Sequence, residues 1–313
     1  MKTIIWGSRG SLPASSNARA QRKKIYAAIE TAVKFKITKQ SDIDNFIDEQ
    51  LPFAVRGAYG VNTSCVEIRE DDASLIFDAG TGLRDYGNAL MKNNAGTGEF
   101  NIFISHPHWD HIQGFPFFLP AYIKGNKINI YGCHENINQA FRNQQQPLHF
   151  PVALEQMAAD IEFVKLSEGR EYDIAGFRIT AMEQNHPGKS YGYRIERNGQ
   201  KIVYSTDSEH TNEAPDAFLD FIRGADLLIF DSQYSLSDAL YVKENWGHSS
   251  NMTGVELSLR AGVKKLCLFH TEPVDDDEKL DAILLQTRKY VALSDPSSRL
   301  QVDMAYEGLE ITV

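Results

Sequence analysis

His106-Pro107-His108-Trp109-Asp110-His111 places four groups able to bind a metal within six residues. The apolar run Asn101-Ile102-Phe103-Ile104 comes directly before it. Such a run predicts a strand over 101–105. A strand ending in this cluster delivers its ligands to one edge of a sheet. Imidazoles with a carboxylate suit Zn²⁺ or another borderline first-row cation. Six residues cannot surround an ion, so other parts of the chain must close the site.

Further strand patterns end in residues of the same chemistry. Phe177–Glu183 leads to Asn185-His186-Pro187-Gly188, Lys201–Thr206 leads to Asp207, and Lys265–Phe269 leads to His270-Thr271-Glu272-Pro273. Strands of one sheet that end in the same direction bring these groups to one rim. A lone histidine is more often a surface or hydrogen-bonded core residue. A series of them at successive strand ends reverses that expectation.

The chain of 313 residues is long enough to bury a sizeable core. Its hydrophobic share of 42% and charged share of 24% are ordinary for a soluble globular protein. The formal net charge of −10 disfavours a general affinity for nucleic acid or an anionic membrane. Cys65, Cys133 and Cys267 lie far apart, in or beside apolar runs, and read as buried small hydrophobes rather than a disulfide framework. That usage fits a reducing cytoplasm. The start Met1-Lys2-Thr3-Ile4-Ile5-Trp6-Gly7 is too short in apolar length for a signal peptide, and no run reaches transmembrane length.

In chain order, a strand over 2–6 precedes the loop Gly7-Ser8-Arg9-Gly10-Ser11-Leu12-Pro13. Residues 14–56 read as a helical pair, with Ile25, Ala28, Ile29, Ala32 and Val33 at helical spacing. Between 17 and 40 stand seven Lys/Arg against the single acid Glu30. Ser41 is placed to cap the second helix, with Asp42 and Asp44 in its first turn and Pro52 past its end. This segment reads as a solvated surface element, a lid or an oligomer contact. Strands are expected at 64–69, 74–77, 127–131, 161–165, 177–183, 191–196, 200–204, 226–230, 265–269 and 309–313. Helices are expected at 83–93, 135–145, after Phe150-Pro151, and at 214–223, 252–261 and 275–292. Interleaved strands and helices with antiparallel-style turns predict a mixed sheet, or a pair of sheets, flanked by helices.

With these residues in view, the chain resembles the metallo-β-lactamase superfamily, a four-layer αββα sandwich. His106, His108, Asp110 and His111 match its H-x-H-x-D-H motif, and His186, Asp207 and His270 match its later motifs. It is most similar to the phosphodiesterase branch that includes ribonuclease Z and the cyclic-phosphate phosphodiesterases. Residues 7–13, Tyr59-Gly60-Val61-Asn62-Thr63-Ser64-Cys65, Asp78-Ala79-Gly80-Thr81-Gly82 and Trp246-Gly247-His248-Ser249-Ser250 resemble that branch's recurrent segments. Val61 departs from it, since a second glycine is usual there. The resemblance covers nearly the whole chain except about 14–56 and implies one domain over 1–313 with a helical insertion at 14–56.

The resemblance implies two divalent ions, Zn²⁺ foremost, with Mn²⁺ or Fe²⁺ as alternatives. One ion would take His106, His108 and His186; the other Asp110, His111 and His270; Asp207 would bridge them. Asp207 stands where typical β-lactamases of the superfamily carry cysteine, and His108 where flavodiiron proteins carry glutamate. His248 matches the extra histidine of the phosphodiesterase branch and is the candidate general acid, with Asp231 as its orienting partner. Asp78 is expected to hold a ligand histidine or its loop. Gly80 and Gly82 offer backbone N–H groups to a phosphate or make a plain turn. Lys189 and His210 are weaker candidates for substrate contact.

The expected reaction is attack of a metal-bridging hydroxide on a phosphodiester, with Asp110, His248 and Asp231 in catalytic roles. A small or cyclic nucleotide is favoured because 112–185 shows no obvious basic arm for tRNA. The alternatives are a tRNA 3′-end or other RNA endonuclease, a phosphocholine esterase, a thioester or lactone hydrolase, and a non-catalytic metal sensor. The expected partners are a small phosphodiester, nucleic acid as the less favoured substrate, no membrane, and a second copy through 14–56.

Overall fold

The computed structural model describes residues 1–210, 216–234 and 246–313. β1 (Lys2–Gly7), β2 (Cys65–Glu70), β3 (Ala73–Phe77), β4 (Glu99–Phe103), β5 (Lys127–Gly132) and β6 (Asp160–Lys165) belong to the first sheet. β7 (Glu171–Ile174), β8 (Phe177–Gln184), β9 (Ser190–Arg197), β10 (Gln200–Ser205), β11 (Leu227–Asp231), β12 (Lys265–Phe269) and β13 (Gln301–Met304) make the second. β14 (Glu310–Thr312) returns to pair with β1, so the first sheet runs β14-β1-β2-β3-β4-β5-β6.

Each sheet is antiparallel in one half and parallel in the other. β14 to β3 and β7 to β10 alternate in direction. β3 to β6 and β10 to β13 all run one way. Turn chemistry accounts for the antiparallel halves. Asn198 and Gly199 join β9 to β10 with φ of 53° and 78°, as a two-residue hairpin turn of the favoured hand requires. Parallel pairs need crossovers, and helices Gly82–Lys92, Asp216–Ile222, Asn251–Ala261 and Asp277–Ser294 supply those from β3 to β4 and from β10 through β13.

Alternation along each strand divides the core into three. Phe77, Phe103, Ile179, Tyr193, Ile202, Tyr204, Ile229 and Phe269 meet between the sheets. Ile76, Ile102, Ile104, Ile128 and Ile130 turn outward onto Leu83, Phe118 and Phe141. Val203, Leu228, Phe230, Leu266 and Leu268 turn outward onto Phe218, Val255, Leu257 and Leu280. β11 is buried at every position, which explains the unbroken apolar run at 227–230 before its terminal Asp231. Helix, sheet, sheet and helix therefore stack as the expected αββα sandwich. Cys65, Cys133 and Cys267 are buried and unpaired.

Several local expectations are corrected. No full helix follows Phe150-Pro151; one 3₁₀ turn, Leu154–Gln156, stands there, closed by Gln156 accepting from the Ala153 amide. β7 and β13 were not expected. They are four-residue edge strands that alternate with charged or polar residues, which blunts both the edge and the pattern that would reveal it. Ser41 lies inside helix Gln40–Asn45 rather than capping it; Asp42 accepts from the Thr38 and Lys39 amides instead. The start of the helix expected at 214–223 falls outside the described residues, and Asp216–Ile222 is helical. Among the described residues no helix is long and apolar enough to cross a membrane.

Candidate metal centre

β3, β4, β8, β10, β11 and β12 all end at one rim, because two antiparallel steps from β10 restore the direction in β8. Asp78, the His106–His111 cluster, His186, Asp207, Asp231 and His270 stand at or just past these ends. Carboxyl ends of parallel strands are the usual place for ligand chemistry in α/β folds. Three of these residues carry left-handed backbones: Asp78 at φ 60°, Asp207 at 41° and His270 at 60°. Each turns sharply off its strand to send its side chain inward. Such a backbone costs a non-glycine residue about 1–2 kcal/mol, and strain of this kind gathers at functional sites.

Four overlapping donor groups form among the described residues, two of them through His248; the other two sets are His106/His108/His186 and Asp110/His111/Asp207/His270, with the donor atoms of each within 4.8 Å of one another. In the first, His108 Nδ1 lies 2.8 Å from His106 Nε2 and 3.2 Å from His186 Nε2. In the second, His111 Nε2 lies 3.2 Å from Asp110 Oδ2 and 3.1 Å from Asp207 Oδ1. His270 Nε2 repeats the same two distances, 3.2 and 3.1 Å. Asp207 divides its oxygens: Oδ1 serves the second set, while Oδ2 lies 3.7 Å from His106 Nε2 and 3.8 Å from His186 Nε2.

The surroundings orient each ligand. Asp78 Oδ2 lies 2.8 Å from His111 Nδ1 and also accepts from Ser105 Oγ and Tyr204 OH, at 2.8 and 2.7 Å. The Asp78 carboxylate thus fixes the Nδ1–H tautomer of His111 and turns Nε2 into the cluster. That Nε2 is buried and makes no well-aligned hydrogen bond, facing instead the Asp110 and Asp207 carboxylates. His186 Nδ1 donates to the Gly247 carbonyl at 2.8 Å. Gly247 has φ 83°, and a Cβ there would come within 2.6 Å of His186 Nδ1, so only glycine fits.

Electrostatics differ between the sets. Burial, with further repulsion from neighbouring imidazoles, holds His106, His108 and His186 below the ordinary histidine range, in the neutral form that binds cations. Burial opposes charge on His111 too, but Asp110, Asp207 and Asp78 outweigh it and raise His111 well above its usual value. Burial likewise opposes ionisation of Asp110 and Asp207, and the facing histidines overcome it, so both stay well below the usual carboxylate range. A cation held there would displace the proton on His111. The donors therefore suit divalent cations: neutral imidazoles on one side, carboxylates facing buried imidazole nitrogens on the other.

His248 stands beside both sets, its ring 5.1 Å from His186 and 5.2 Å from His270 between centroids. Its Nδ1 lies 2.9 Å from Asp231 Oδ2. Burial lowers the His248 pKa, but the adjacent Asp231 carboxylate prevails and lifts it to about 9. Dications in the adjoining sets would pull that value down.

Other candidates lie elsewhere. Gly80 N–H is spent on the Ser64 carbonyl at 2.9 Å, so the plain turn holds there rather than a phosphate cradle. Lys189 Nζ pairs with Glu183 at 2.8 Å. His210 stacks on Phe218 at 3.8 Å, bonds to Ser208 Oγ at 2.7 Å and belongs to neither donor set. Ser105, Tyr204 and Gly247 went unrecognised as supports. Ser105, immediately before His106, is the one that sequence position could have flagged.

A model of the beta-lactamase superfamily domain matches residues 74–271, and the chain belongs to that superfamily. It is a hydrolase of that superfamily related to ribonuclease Z. Ribonuclease Z of Thermoplasma acidophilum is 26% identical over 262 residues, covering 66% of this chain and 80% of the relative. The metallo-beta-lactamase fold protein YhfI from Bacillus subtilis superposes with a TM-score of 0.65 at 18% identity, covering 99% of this chain and 98% of that one. The short form of human tRNase Z gives 0.59 at 20% identity, covering 100% and 99%.

Proposed function

We propose that this protein is a phosphodiesterase that works with two divalent cations, Zn²⁺ foremost, on a small or cyclic phosphodiester. The division of the Asp207 oxygens between two donor sets carries the proposal, since a carboxylate so placed could serve two cations. His106, His108 and His186 would hold one ion and Asp110, His111 and His270 the other. When bound, such a pair supplies Lewis acidity toward phosphoryl oxygens and acidifies water for attack.

The remaining work falls to this chain's own groups. Asp78 keeps His111 in the ligating tautomer. Asp231 accepts from His248 Nδ1, leaving the Nε2 side of that ring to give a proton to the departing alkoxide oxygen. His108 is exposed while His106 and His111 are buried, so the first set is the solvent-open side. From β5 to β8 the chain consists of short elements whose apolar residues, Phe141 and Leu154 among them, enter the outer core, which favours a small diester over tRNA.

The test is a turnover screen of the metal-loaded protein against bis(p-nitrophenyl) phosphate, cyclic mononucleotides and dinucleotides, a phosphocholine ester, a thioester and precursor tRNA. Turnover of a small diester is expected. His248→Ala should lower it by about 10²-fold or more with metal content unchanged. An unchanged rate would remove His248 from the mechanism. Activity with fewer than two tightly held ions would refute the paired-cation scheme.

A further inference from the structure

Asp110 and His270 come from different sheets and different ends of the chain, yet both meet one loop, Ser8–Ser11. The Ser11 backbone N–H donates to Asp110 Oδ2 at 2.8 Å. Gly10 lies against the His270 ring so closely that a Cβ there would stand 2.6 Å from its Cε1 and Nδ1. Ser11 holds φ 58°, a left-handed backbone that aims its N–H at the carboxylate.

The loop is itself held from both sides. Arg9 bridges in parallel fashion to Thr63, beside β2, and to Thr271, beside β12. Its backbone N–H donates to the Asn62 carbonyl, Gly10 N–H to the Thr271 carbonyl, and Thr271 N–H to the Ser8 carbonyl, at 2.9, 2.9 and 3.1 Å. The Arg9 guanidinium is buried. Its Nε donates to the Gly60 carbonyl at 2.9 Å, and its Nη1 to the Glu272 and Asp275 carbonyls at 3.0 Å each. One side chain thus ties the segment after His270 to the segment before β2. The planar guanidinium satisfies three carbonyls at once, which a lysine ammonium on a flexible stem does not reproduce.

We propose that Ser8–Ser11 is a latch that sets the second donor set, and that Arg9 is its positioning residue. Closure of the loop across the two sheets brings Asp110 and His270 into register around His111. The first set, His106/His108/His186, makes none of these contacts and does not depend on the latch. This rests on the paired-cation reading above. Its specific consequence is that damage to the latch separates the two ions.

The experiment is titration of metal-stripped protein with Zn²⁺ against a competing chelator, read as two binding steps. Arg9→Lys and Gly10→Ala should each weaken one step by at least about tenfold, as expected for loss of supports around metal ligands, and leave the other within threefold. Circular dichroism and thermal melting of the stripped variants establish that they are folded. If Arg9→Lys does not fold, Gly10→Ala decides alone. Two steps unchanged, or both weakened alike in folded variants, would overturn the latch and leave the paired-cation reading standing. A parent protein that binds a single Zn²⁺ would overturn both.

Discussion

At the scale of single residues, the site depends on groups held in conformations that the unfolded chain disfavours. Gly247 illustrates the tolerance involved. Replacing it with alanine drives a Cβ into His186 at a positive φ, so Gly247→Ala should weaken Zn²⁺ binding at the first set by about tenfold or more. Chelator competition checks this, and unaltered affinity would show that the loop yields. His210 offers a test of linkage. Burial lowers its pKa to about 4, against the opposing pull of Asp231, while an unfolded histidine sits near 6.5. Between those values the unfolded chain binds the extra proton, so stability should fall as pH drops from about 6.5 to 4, by at most about 1.4 kcal/mol per unit from this group. Urea unfolding of parent and His210→Gln at pH 7.5 and 5 measures it: the parent should lose more than the variant, and equal losses would dismiss His210 as the source.

At the scale of elements, helix Ala18–Ala32 is turned inside out. None of its residues is buried. Lys24 bonds to Asp277 and the Gly57 carbonyl, and Lys23 to Glu278, so charge faces the protein. Ile25, Ile29 and Val33 stand 60%, 61% and 78% exposed. Ile25→Ser and Ile29→Ser should each change monomer stability by less than about 0.5 kcal/mol in urea melts, as for surface positions generally. A loss that grows with protein concentration would show that a second copy covers the stripe. The helical spacing of this segment was readable from the chain, but not which face points inward, because that depends on acids at 277 and 278 far along the sequence. The same distinction runs through the site. His106, His108, Asp110, His111, His186, Asp207 and His270 could be collected because each follows an apolar run that stops at a polar residue. The Ser11 amide, the Gly10 contact and the Tyr204 hydroxyl could not, since a backbone N–H or a tyrosine in a strand carries no mark of where it points. β7 and β13 were missed for a related reason: a short edge strand is made by its neighbour, not by its own composition.

At the scale of the whole molecule, the centre lies on the seam between two sheets, and the packing between them supports it. Phe103 stacks on Phe77 and Tyr131 at 5.1 and 4.7 Å in the central core, three residues before His106. Phe103→Ala should cost about 3–5 kcal/mol, seen as a lower urea midpoint. The metal-loaded form should melt above the stripped form, because ions that bind only the folded chain add about 4 kcal/mol at a thousandfold excess over Kd. Equal melting temperatures with and without saturating Zn²⁺ would argue that the cluster does not hold the ion. The bond from Arg9 to Thr271 joins groups 262 residues apart, and this orders events in time. A chain emerging from the ribosome displays the His106–His111 cluster long before Thr271 and His270 exist, and contacts of such separation form late because loop closure is costly. The histidine-rich segment must therefore pass through synthesis as an incomplete chelator. On the paired-cation reading proposed above, full metallation would be a step that follows folding, drawing on whichever cation the cell supplies once the seam has closed.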